Sequence, residues 1–147
     1  MESGTKSGTD ESVCSEVNGD PYTWLITKRE LECKCGCGGL PQDSLVRILV
    51  TLREEAGFPF IFSSGYRCAK HNALASSTGD DGPHTRGLAV DIKVYGARAI
   101  KLINLALKRG VTGIGVAQKG AISSRFIHLD WVATGDEEIP RPAIWSY

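Results

Sequence analysis

Apolar residues recur at helical spacing in two stretches of the chain and crowd into short runs in several others. In DSLVRILVTLREEA, Leu45, Ile48, Leu49, Leu52 and Ala56 fall on one face, Asp43 opens the run and Gly57 closes it. GARAIKLINLALKRG, residues 96–110, predicts a second helix. Lys108 and Arg109 fall in its last turn, where unpaired carbonyls favour cations, and Gly110 follows. PFIFSS (59–64), GLAVDIKV (87–94), TGIGVAQ (112–118) and SRFIHLDWV (124–132) read as strands, the last two joined by a KGAIS loop. GYRCAKHN (65–72) predicts a turn with one helical turn, and SSTGDDGP (76–83) a loop. PYTWLITKREL (21–31) reads as an extended lead-in to the glycine-rich turn GCGGLP. The tail GDEEIPRPAIWSY carries two prolines and is expected to wrap the surface. No internal repeat appears. The sum is a small α+β domain, with two main helices on one face of a mostly antiparallel sheet.

Composition narrows the function classes. The 147 residues suffice for one buried core. Residues 1–20, MESGTKSGTDESVCSEVNGD, are polar and read as a flexible arm, which leaves 21–147 as the single domain. The arm has neither the basic start nor the apolar middle of a secretory signal, so synthesis in the cytoplasm is expected. Basic and acidic residues balance at 17 each, and no Lys/Arg stripe interleaves with aromatics, so no nucleic-acid partner is expected. No apolar run approaches the roughly 18 residues of a membrane span, so no membrane insertion is expected.

Cysteine use is less simple. Five are present, Cys14, Cys33, Cys35, Cys37 and Cys68, three of them inside CKCGC. Alternate residues of an extended chain lie roughly 6.5 Å apart, near the upper limit for a disulfide. A complete disulfide framework is therefore not indicated, and a reduced place of synthesis fits. Structural zinc sites space their thiolates as CxxC, so free thiols beside a tight glycine turn are expected here rather than a second metal.

The candidate chemistry lies in three side chains. A catalytic zinc takes three protein ligands and keeps one open position. His84 ends a Gly/Asp loop, Asp91 follows within a strand that is otherwise apolar, and His128 comes from a different strand. A carboxylate among apolar neighbours is costly unless paired or metal-bound. Strand alternation puts Phe126, His128 and Asp130 on one face. Asp130 is thus a candidate general base, with orientation of a ligand histidine through its free ring N–H as the rival role. His71, beside Asn72 in the short turn, is expected to make a structural hydrogen bond. Ser63 and Ser64 lack the GxSxG context of a serine nucleophile. Trp131, Trp145 and Tyr147 are candidates to line a substrate groove, with anchoring of the tail by packing the favoured role.

Taken together, SSGYRCAKHN, GPHTRGLAVDI and FIHLDW resemble the zinc peptidases of the D-alanyl-D-alanine carboxypeptidase family, which includes phage L-alanyl-D-glutamate endopeptidases. The family's SxHxxGxAxD motif is matched at His84, Gly87, Ala89 and Asp91, with His128 as the later ligand. ECKCGCG and the closing Trp145-Ser146-Tyr147 are similar to phage members. The resemblance implies a hedgehog/DD-peptidase-like fold, Zn2+ held by His84, Asp91 and His128, and Arg67 gripping a substrate carboxylate or the oxyanion. It implies a peptidoglycan stem peptide as substrate. It also implies a phage endolysin or virion-associated hydrolase, made in the host cytoplasm and acting at the wall, with virion proteins as further partners. The chain departs from the family in two places. Gly82 stands where a serine is usual. Arg125, unable to accept a proton, stands three before His128, where many members place the base. These departures favour the alternative of a non-catalytic, zinc-stabilised structural or wall-binding domain.

Overall fold

A computed structural model describes residues 19–147, so the arm expected over 1–20 lies, but for its last two residues, outside the described residues. The elements are α1 (Lys28–Leu31), α2 (Asp43–Ala56), β1 (Phe62–Ser64), α3 (Ala69–Ala75), β2 (Ala89–Ile92), α4 (Gly96–Lys108), β3 (Gly113–Ala117), β4 (Phe126–Asp130) and β5 (Ala143–Ser146). The strands form one sheet in the order β1-β2-β4-β3-β5, antiparallel except for the β3–β5 pair. The fold is mixed α+β, as the pattern of apolar residues predicts.

The two long helices match their periodicity. Leu45, Val46, Leu49 and Leu52 of α2 and Ala99, Leu102 and Ala106 of α4 share one buried cluster with Val90, Ile92, Ile114, Ile127 and Leu129 of the sheet. Gly57 takes a left-handed φ of 76° at the end of α2, a conformation open to glycine at little steric cost.

Four local elements differ from the sequence reading. The lead-in contains α1, where Glu30 reaches back to accept from the Thr27 amide at 2.9 Å, a capping-box contact. Strand β1 is only three residues long, and its register against β2 is irregular between Phe62 and Ser64. Helix α3 runs to Ala75, longer than the single turn expected. The tail does not merely wrap the surface. Its residues Ala143–Ser146 add β5 in parallel to β3, with both prolines placed ahead of the strand where no donor is required.

Sheet register sets the stage for the chemistry. One row across the strands reads Asp91, His128, Gly115, Trp145, and the next reads Ala89, Asp130, Gly113, Ala143. Because side chains alternate, both rows lie on the face opposite the helices.

Candidate metal centre

His84 sits in the turn before β2, tied down on both sides. Its carbonyl accepts from the Gly87 amide at 3.2 Å and the Arg67 amide at 3.4 Å. Gly87, at φ 73°, lies so close to Gln42 that a Cβ would stand 3.0 Å from the Gln42 nitrogen. The ring is oriented by its Nδ1, 2.8 Å from the Gly65 carbonyl, which leaves Nε2 facing Asp91 Oδ1 at 3.4 Å.

Asp91 and His128 stand opposite each other on neighbouring strands. His128 Nδ1 lies 2.9 Å from Asp91 Oδ1, and the His84 and His128 rings meet edge to face at 5.1 Å. All three side chains are buried, and each offers a ligand atom within 4.8 Å of the other two. Tetrahedral zinc with bonds of about 2.05 Å would separate its N and O ligands by roughly 3.4 Å. Two imidazoles and one carboxylate at this spacing suit a divalent ion.

The electrostatics are those of a cluster built around charge. Burial would raise the Asp91 pKa, yet its hydrogen bonds and charge interactions with His128 and His84 hold it well below the usual carboxylate range. Burial likewise disfavours a charged His128, but Asp130 and Asp91 push its pKa up.

Asp130 occupies a position different from that of an accessible base. Its side chain is 0% exposed, and Oδ2 lies 2.7 Å from His128 Nε2. Arg141 donates to both its oxygens, Nε to Oδ1 at 2.9 Å and Nη2 to Oδ2 at 2.7 Å. Against its burial, Arg141 and His128 bring Asp130 to about 2.

Arg67 is fixed on three sides. Nε donates to Ser64 Oγ at 2.9 Å, Nη1 to Asn72 Oδ1 at 3.0 Å, and Nη2 reaches Asp91 Oδ2 at 3.4 Å. Asn72, 1% exposed, passes its own amide protons to Thr78 Oγ1 at 2.8 Å and the Gly79 carbonyl at 2.7 Å. It therefore links Arg67 to the loop before His84, a role that helical spacing gave no means of seeing. The same loop accounts for Gly82. A Cβ there would strike Thr78, whose hydroxyl fills the space, while Thr85 Oγ1 bonds both the amide and the carbonyl of Gly82 at 2.8 Å.

Arg67, His84, Asp91 and His128 open onto a cavity of about 390 Å³ that Arg141, Trp145 and Tyr147 also line. The tail aromatics thus pack, as expected, but against the site itself: the Trp145 ring lies 5.1 Å from His128. Arg125 points elsewhere and donates to the Gly120 carbonyl. His71 is not part of this group; its Nδ1 lies 3.3 Å from Cys33 Sγ. Cys33, Cys35 and Cys37 of CKCGC and the distant Cys68 form a second group of converging side chains, all with free thiols.

The chain belongs to the peptidase M15 family, whose family model, described as Peptidase M15, matches residues 25–130. Membership implies a metallopeptidase, in a family that depends on metal, typically zinc. No curated protein and no solved structure matches the chain. The matched span contains His84, Asp91 and His128 as well as the four described cysteines, and it ends before Arg141. No helix among the described residues is long and apolar enough to cross a membrane.

Proposed function

We propose that this chain is a zinc-dependent peptidase that hydrolyses the stem peptide of peptidoglycan, with His84, Asp91 and His128 as the metal ligands. The observation that carries the reading is their convergence: two ring nitrogens and a carboxylate oxygen, from a loop and two strands, within 4.8 Å of one another at the base of an open cavity. Held by His84, Asp91 and His128, a divalent ion would supply Lewis acidity toward a scissile carbonyl and toward water. Arg67, held by Ser64 and Asn72, presents a guanidinium to the cavity and stabilises the oxyanion or grips a substrate carboxylate. Asp130 acts through His128 rather than on substrate. By accepting a hydrogen bond from Nε2–H it would leave the Nδ1 lone pair free for the ion beside Asp91, and Arg141 keeps it ionised. Trp145 and Tyr147 form an apolar wall against which a peptide side chain can lie.

In this reading the enzyme is of D,D-carboxypeptidase or L,D-endopeptidase type. Its likeness to phage members supports an endolysin or virion-associated hydrolase, made in the host cytoplasm and meeting the wall on lysis or on delivery by the particle. One observation favours the alternative of a metal-stabilised, non-catalytic domain. Asp91 is the one carboxylate lining the cavity among the described residues, since Asp130 is sequestered.

Mass spectrometry of a defined muropeptide after incubation with the zinc-loaded chain separates the two. The expected result is loss of a terminal D-alanine or a split stem, abolished by chelation and in His128→Ala. An intact muropeptide, with chelation still lowering the melting temperature, favours the non-catalytic domain.

A further inference from the structure

The cysteine cluster lies outside the chemistry assigned so far, and its geometry is not that of incidental free thiols. Cys33 Sγ lies 3.4 Å from Cys35 Sγ, and Cys35 Sγ lies 3.6 Å from Cys68 Sγ. With Cys37, the four sulfurs fall within 4.8 Å of one another. A disulfide requires about 2.05 Å. Four thiolates around tetrahedral zinc, with Zn–S near 2.3 Å, stand roughly 3.8 Å apart. The Cys33–Cys35 and Cys35–Cys68 separations lie near the second value.

The backbone explains how C-x-C-x-C spacing reaches it. Gly36 and Gly38 adopt φ of 86° and 82°, so the chain coils back on itself instead of running extended. The Cys33 amide closes the loop by donating to the Gly39 carbonyl at 2.9 Å. Alternate sulfurs then face inward, toward Cys68 at the start of α3. Expectations built on an extended strand missed this because two left-handed glycines shorten the reach between alternate cysteines.

Backbone N–H groups surround the cluster. Backbone amides aim at three of the sulfurs: Cys68 N at Cys33 Sγ (3.3 Å), Gly39 N at Cys37 Sγ (3.4 Å) and His71 N at Cys68 Sγ (3.4 Å). The His71 ring places Nδ1 within hydrogen-bond distance of Cys33 Sγ, at 3.3 Å. Cys35 and Cys37 are exposed, an oxidation-prone state for a free thiol and an ordinary one for a metal ligand at a surface knuckle.

We propose that Cys33, Cys35, Cys37 and Cys68 form a second, structural zinc site that clamps the Cys33–Gly39 loop to the start of α3. The site is closed, with four protein ligands and no open position, so it serves architecture. It lies one residue from Arg67 and on the helix that carries Asn72. The ion therefore fixes the platform from which Arg67 reaches Asp91.

The test uses the full chain in a Cys14→Ser background, purified reduced and zinc-replete. Elemental analysis is expected to find two zinc ions per chain. Exchange into cobalt is expected to give a sulfur-to-metal charge-transfer band with the intensity of four thiolates. Cys37→Ser weakens or abolishes that band, while His84→Ala removes one ion and leaves the band unchanged. A folded chain with no such band, or with all four thiols open to a thiol reagent in excess zinc, overturns the proposal. A three-thiolate band that disappears in His71→Ala overturns the four-thiolate assignment. The band at full intensity without an ion at His84 and His128 supports this site and sinks the peptidase reading, so the two stand or fall separately.

Discussion

Asp130 is shut away from water with Arg141 between it and the cavity, and changing either one has a distinct consequence. Groups that orient a ligand imidazole are worth about 10–100-fold in metal affinity or activity. Asp130→Asn is expected to lower ion affinity in that range, measured by chelator competition, with cleavage falling alongside. Full affinity with cleavage abolished would instead return Asp130 to the role of proton acceptor. Arg141→Met leaves a buried carboxylate with only His128 and the Val132 amide as partners. A loss of about 3 kcal/mol in urea unfolding is expected, and an unchanged midpoint would show that the guanidinium contributes nothing there. Of these side chains, the chain pattern made His84, Asp91 and His128 visible through their motif, and Asp130 through strand alternation. Arg141 and Asn72 were not legible. Each acts through a partner distant in sequence, and a buried Asn on a two-turn helix leaves no periodic mark.

Strand β3 shows how small residues open space for large ones. Gly113 and Gly115 alternate in TGIGVA, on the face that carries Asp130 and His128 in the neighbouring strand. A Cβ at Gly113 would run into both Asp130 carboxylate oxygens, whereas one at Gly115 would stand 2.7 Å from Trp145 Nε1 and 2.9 Å from the Tyr147 ring. The first neighbour is locked by Arg141 and His128; the second is an aromatic on an edge strand. Overpacking costs about 1–3 kcal/mol. Gly113→Ala is expected at the upper end with loss of ion affinity, and Gly115→Ala at the lower end with KM raised more than kcat is lowered. Equal effects of the two on ion affinity would refute this division of roles. The sequence presented both glycines as parts of a strand, but their purpose depends on register, which no local pattern encodes. Strand β5 escaped notice for the same reason, since four residues behind two prolines show too little alternation. Helix α1 is the reverse case, because T-x-x-E was present at Thr27 and Glu30 and marks a helix start.

Arg86 joins parts of the chain that enclose the site from opposite directions. Its guanidinium binds Asp81 in the loop before His84 at 3.1 Å, and Asp136 and Glu138 in the tail before Arg141 at 2.7 and 2.9 Å. Its carbonyl accepts from Gln42 at the start of α2 at 2.8 Å. The hydrogen bond from Arg86, joined by the Ile139 and Glu138 amides, brings Asp136 down to about 2. A carboxylate depressed in the folded state adds stability above its unfolded pKa of about 3.9, and that contribution is lost as pH falls through the folded value. The window for Asp136 is therefore from about pH 4 to about pH 2, with stability falling as acid is added. Asp136→Asn, which cannot ionise, is expected to be less stable than the parent near neutrality and to show a shallower decline across that window. Urea midpoints measured at several pH values on the metal-free forms of both chains check this. Removing the ions from both keeps proton competition at His84 and His128 out of the comparison. Parallel curves for the two would mean that the Arg86 bridge does not couple the tail to the loop that carries His84.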